Sequence, residues 1–126
     1  MGYRSEVKIA MRESDYEEMI ARIDYYTNKE ILKYFMELST VRRVTNEEQK
    51  IVIIHWDWVK WDTYLKEVQY VEEYLGELSA NLKPYKFVRI GEECSDIEVA
   101  DSWGENGDDC CDIIRAEVYT EIVEDI

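Results

Sequence analysis

The chain has 126 residues, 46% hydrophobic and 13% aromatic, and its 29 Asp and Glu against 15 Lys and Arg give a net charge of −14. That length fits one domain, and so much apolar material excludes a disordered acidic tail, so a single folded unit over residues 1–126 is expected. The charge argues against direct contact with free nucleic acid or an anionic membrane, and it would steer a basic partner toward the surface.

No apolar run approaches the ~20 residues of a bilayer span, and the start Met1-Gly2-Tyr3-Arg4-Ser5-Glu6 lacks a signal-peptide core. Cys94, Cys110 and Cys111 are an odd, sparse set that fits a reducing compartment. A soluble cytoplasmic protein is the expectation, in the host cell if the gene is viral.

Tyr3, Ser5, Val7, Ile9 and Met11 alternate with Arg4, Glu6, Lys8 and Ala10, the pattern of a half-buried strand. Ser14-Asp15-Tyr16-Glu17 has capping-box spacing, and Tyr16, Met19, Ile20 and Ile23 then predict a helix over about 15–26. Ile31, Leu32, Phe35 and Leu38 make a second helical face, with Asn28 placed to end the first helix or cap the next. Val41 to Val44 and Ile51 to Ile54 flank the polar stretch Thr45 to Lys50 and read as a hairpin. Ile51 to Trp58 is apolar on both faces, which makes it the best candidate for a central strand.

Leu65, Val68, Val71, Leu75 and Leu78 stripe a helix over about 62–80, with Asp62 or Thr63 at its start and Pro84 in the exit loop. Tyr85, Phe87 and Arg89 alternate with Lys86, Val88 and Ile90 in a strand that Gly91 ends. Arms at about 96–103 and 111–123 read as a second hairpin joined around Asn106-Gly107, the last arm alternating Ile114, Ala116, Val118, Thr120 and Ile122. The order β-α-α-β-β-α-β-β-β predicts an α+β fold, a mainly antiparallel sheet with helices on one face, layered as in ferredoxin-like topologies.

The acidity is patterned. Residues 92–112 carry Glu92, Glu93, Asp96, Glu98, Asp101, Glu105, Asp108, Asp109 and Asp112 with no Lys or Arg. Residues 101–112 fail the EF-hand pattern, because Trp103 and Asn106 stand where an oxygen ligand and Gly belong, so a solvated loop or one end of an acidic face is expected. The first helix adds Glu17, Glu18 and Asp24, and the third adds Glu67, Glu72, Glu73 and Glu77. If both helices pack on the same side of the sheet, their carboxylates would mimic a phosphate backbone and occupy a protein that handles nucleic acid.

His55-Trp56-Asp57-Trp58-Val59-Lys60-Trp61 places three Trp within seven residues, where core packing competes with a pocket for an anionic ligand. His55, Trp56, Trp58 and Trp61 with Arg89 and Arg115 are the candidates for such a pocket. Strand parity puts His55 and Asp57 on one face, so an acid–base pair is conceivable, although no nucleophile accompanies it. No G-x-S-x-G, P-loop, G-x-G-x-x-G or H-E-x-x-H pattern is present, and a non-enzymatic protein without catalytic residues is expected. Cys94, Cys110, Cys111 and His55 would total four zinc ligands, but adjacent cysteines lack the C-x₂-C spacing, so neither metal nor cofactor is expected. A metal-dependent enzyme using the 92–112 carboxylates remains an alternative, as does a small-ligand binder.

Met1-Gly2-Tyr3-Arg4-Ser5-Glu6-Val7, His55-Trp56-Asp57 with Lys60-Trp61, and Lys86-Phe87-Val88-Arg89-Ile90-Gly91-Glu92-Glu93 with Asp96-Ile97-Glu98 resemble a family of small proteins of tailed bacteriophages and prophages. The resemblance touches most of the chain and marks no known active site. It implies a viral accessory protein that binds and inhibits a host or defence protein, and with the charge it points to a partner with a basic surface.

Overall fold

The alternation in the first strand sets the plan of the molecule. In the computed structural model, which describes residues 3–93, 95–117 and 121–125, strand β1 (Ser5–Arg12) lies at the middle of a five-stranded sheet. It pairs antiparallel with β3 (Gln49–Val59) on one side and β4 (Tyr85–Gly91) on the other. The edges are β2 (Thr40–Asn46) beside β3 and β5 (Ile97–Ser102) beside β4, both antiparallel, in the order β2-β3-β1-β4-β5. The expected central strand, β3, is thus interior but one place off centre. β1 meets the same requirement of two buried faces, because Ala10 is covered as fully as Ile9.

Helices α1 (Glu13–Arg22), α2 (Lys29–Glu37) and α3 (Lys66–Ala80) cover one face of the sheet. The strands β1 to β4 with these helices have the connectivity of a split β-α-β unit, and β5 extends it. Met19, Leu32, Phe35, Val68, Val71 and Leu75 pack there on Val7, Ile9, Val52, Ile54 and Phe87. Trp56 stacks on Phe35 with ring centroids 4.9 Å apart and donates its Nε1–H to the Phe35 carbonyl at 2.9 Å. Tyr74 donates to the Asp15 carbonyl at 2.6 Å and Tyr70 to that of Met19, so α3 is tied to α1 by two buried phenols.

The helix starts differ from the sequence expectation. α1 begins at the residue after β1, so Ser14 already lies inside its first turn and caps nothing. Asp15 is buried, its carboxylate accepting a hydrogen bond from Arg12 at 3.1 Å and ion-paired with Lys83 at 3.6 Å. α3 begins at Lys66, because residues 62–65 form a separate turn closed by the Leu65 N–H on the Asp62 carbonyl at 3.0 Å.

The C-terminal region departs further. β5 pairs with β4, while β6 (Ile114–Glu117) pairs with β7 (Glu121–Glu124) in a hairpin of its own; Val118 and Thr120 lie outside the described residues. Asn106-Gly107 does turn the chain, with φ of 61° and 75°, but inside the loop from β5 to β6. The apolar face of the last arm needs the second face of the sheet, and Ile113, Ile114 and Ile122 bury against Ala10, Ile51, Ile53, Val88 and Ile90. Cys110 and Cys111 lie in this layer as free thiols; burial pushes Cys110 up to about 11 and Cys111 higher still.

The turn between β2 and β3 is shorter than the polar stretch 45–50, because Asn46 pairs with Gln49 and leaves only Glu47 and Glu48 to reverse the chain. Both take left-handed backbone, with φ of 52° and 65°, where a side chain costs about 1 kcal/mol and Asn-Gly is favoured. Replacing them together as Glu47→Asn and Glu48→Gly should raise the thermal midpoint by about 3 °C or more. An unchanged or lower midpoint by calorimetry would contradict the strained turn.

Candidate functional site

The distinctive sequence segments meet at one end of the sheet. Tyr3, just before β1, donates its hydroxyl to Asp96 Oδ2 at 2.6 Å and accepts the Glu93 N–H at 2.9 Å. Glu92 accepts the Arg4 N–H at 2.9 Å. Arg89, on β4, donates to Asp96 at 2.8 and 3.1 Å, to Glu98 at 3.0 Å and to Ser5 Oγ at 3.0 Å. The close approach of these groups explains Gly91, where a Cβ would stand 2.1 Å from Asp96 Oδ2 and 2.3 Å from the Tyr3 oxygen. Arg89, with the Tyr3 hydroxyl second, holds the Asp96 carboxyl below its usual range.

The helical layer carries the second concentration of charge. Over residues 13–37 and 62–81 there are twelve Asp and Glu against four Lys and Arg. α1 and α3 are joined by Arg22, which reaches Glu18 at 2.8 Å and Glu77 at 2.6 Å, and Asp24 pairs with Lys33 at 2.7 Å. Arg22 draws the Glu18 carboxyl below its ordinary value, as Lys33 does for Asp24. Glu17 and Glu73 are exposed on the same layer, and Glu67 is half-buried in the first turn of α3.

The eleven expected face residues therefore divide. Glu17, Glu18, Asp24, Glu67, Glu73 and Glu77 belong to the helical layer, and Glu92 and Glu93 to the turn after β4. Asp96 and Glu98 are engaged by Arg89, and half-buried Glu72 stands between the two groups. Glu72 lines an open cleft of about 140 Å³ with Leu75, Tyr85, Phe87, Glu98 and Ala100. Burial first, then the Glu98 charge, pushes the Glu72 carboxyl up. The buried Trp61 Nε1–H finds no partner of hydrogen-bond geometry among the described residues; its dipole opposes that rise without satisfying the donor.

The six pocket candidates are not brought together. Trp56 and Trp61 are core residues, their rings 5.4 Å apart and Trp61 a further 5.7 Å from Phe87, whereas Trp58 is 52% exposed. His55 shares the opposite face of β3 with Ile51 and Ile53, Arg115 is on β6 with Asp125 at 2.8 Å, and Arg89 is held by Asp96 and Glu98. Strand alternation puts His55 on the face opposite Trp56 and Arg89. Nor do the 92–112 carboxylates form a group of metal-ligand spacing among the described residues. Asp108 is held by Gln49 at 3.0 Å and Asp112 by Lys86 at 2.7 Å. Cys110 contacts Gln49 at the start of β3, about 20 Å along the strand from His55, so those two do not share a zinc site; Cys94 lies outside the described residues. The cluster that does form joins His55 and Asp57 to Glu6. Sequence reading missed Glu6, because its role depends on which strand lies beside β1.

Glu72 gives a test with a defined sign. A carboxyl raised in the folded state is penalised once ionised, so the penalty is present at neutral pH and vanishes below its unfolded pKa of about 4.3. Glu72→Gln should therefore unfold at a higher temperature than wild type at pH 7, and the advantage should disappear near pH 4. A gain of equal size at both values would point to a cause other than ionisation.

Comparison of the chain with protein-family models, with curated proteins and with solved structures gives no match.

Proposed function

We propose that this chain is a non-enzymatic accessory protein, viral as its sequence resemblance implies, that binds and inhibits a host or defence protein through its acidic helical layer. The observation that carries the reading is that α1 and α3 pack side by side on one face of the sheet, where Arg22 links Glu18 to Glu77. Their carboxylates thereby share one outer surface with a large surplus of negative charge. A protein that neutralises phosphates with Lys and Arg would find substitute anions there, which makes a nucleic-acid-handling target the best match.

The layer also says which side chains test the idea. Glu77 is engaged by Arg22 and Glu72 is half-buried, so charge reversal at either would disturb folding as well as binding. Glu17 and Glu73 are exposed. The protein used as bait in a host extract should retain a basic partner whose affinity falls steeply with added salt. Glu17→Lys with Glu73→Lys should weaken that complex about tenfold or more at low salt while leaving the thermal midpoint within about 2 °C of wild type. A complex indifferent to salt and to the double substitution would sink the proposal.

A further inference from the structure

We propose that Glu6, His55 and Asp57 form a binding site for a divalent transition-metal ion, with Zn²⁺ the best-matched probe. The site lies on the sheet face opposite the helices and is independent of the acidic layer.

The backbone prepares it. His55 stands opposite Lys8 and Trp56 opposite Val7, but the next pair is Val59 with Ser5, so β3 sets two residues, Asp57 and Trp58, against the single residue Glu6. Such a bulge bends the strand and re-aims a side chain, and bulges are over-represented beside functional sites. Here a carboxylate oxygen from Glu6, one from Asp57 and a His55 ring nitrogen all lie within 4.8 Å of one another, with His55 Nε2 2.8 Å from Glu6 Oε2. An ion central to three atoms so spaced is no more than about 2.8 Å from each, so shifts under about 1 Å reach the ~2.0–2.2 Å of zinc–nitrogen and zinc–oxygen bonds.

The chemistry of the donors selects the ion. Calcium and magnesium prefer oxygen ligands alone, whereas one imidazole with two carboxylates suits zinc and its first-row neighbours and balances a double positive charge. Two carboxylates drawn together repel, and a cation relieves that repulsion. Lys8, opposite His55, carries its ammonium to Glu124 at 2.7 Å. Glu6 and His55 are half-buried and Asp57 is exposed, so the site has a floor and an open mouth through which water completes the coordination.

Calorimetric titration of the full chain with Zn²⁺ should show one ion bound. His55→Ala and, separately, Asp57→Asn should each weaken binding at least tenfold, roughly what disturbing a metal's ligand environment costs. Asp57 is exposed, so its variant should melt like wild type and remain a fair test if His55→Ala misfolds. His55 is the only histidine, so its ring resonances report the site alone and should shift in step with Zn²⁺. Co²⁺ in its place should give ligand-field absorption without a thiolate charge-transfer band, and Mg²⁺ should give no comparable heat. Absence of Zn²⁺ binding, binding unchanged in both variants, or a thiolate band would overturn the assignment.

Discussion

The rest of the structure depends on a sheet that is apolar on both faces. Val7, Ile9, Val52, Ile54, Trp56 and Phe87 face the helices, and Ala10, Ile51, Ile53, Val88 and Ile90 face the other way. A helical layer alone would leave the second set in water. Each of Ile113, Ile114 and Ile122 brings on the order of 2 kcal/mol of burial when it covers that set, so the C-terminal hairpin completes the core. Among the described residues β6 and β7 share no strand pairing with the sheet, so side-chain packing holds them to it.

Covering both faces also decides where polar chemistry can sit. Within the paired strands β1, β3 and β4, side chains that keep charge must lie where a covering layer gives out. On the helical face that is where Arg89 and Ser5 meet Asp96, with the Tyr3 hydroxyl closing the group. On the hairpin face, Lys8 reaches the edge of β7 at Glu124, and Glu6, His55 and Asp57 lie beyond it. Both polar groups fall at the same end of the sheet because β1 begins there while β3 and β4 end. The bulge at Asp57 belongs to that location, since it interrupts pairing just where apolar cover stops.

Much of this was legible from alternation and periodicity, which report burial. The α+β class, the three helices, the β2–β3 hairpin and the two-sided apolarity of β3 all follow from patterns that repeat within one segment. What failed required knowledge of neighbours. The period of 111–123 shows an apolar face but not what it covers, and a turn dipeptide at Asn106-Gly107 does not say which strands it joins. Ser14 has the right spacing for a cap, yet the helix start was set by β1 running directly into it. Glu6 illustrates the same limit for chemistry. On its own strand it is one polar residue in an alternating series, and only the register with β3 places it beside His55 and Asp57.

The negative surplus is held differently in the turn after β4 and in the helical layer. Arg89 is largely shielded from solvent and grips Asp96 through two hydrogen bonds, so that pair fixes the turn after β4 and is poorly available to a partner. Arg22 and Lys33 are more exposed, and pairs of their kind contribute at most about 1 kcal/mol each in water and salt. A basic surface arriving at the helical layer could displace these cations from Glu18, Glu77 and Asp24 at small cost while it desolvates Glu17 and Glu73. The same layer can therefore keep α1 and α3 in register when free and offer their carboxylates when bound. The buried phenols of Tyr70 and Tyr74, bonded to backbone carbonyls beneath, hold α1 and α3 together meanwhile.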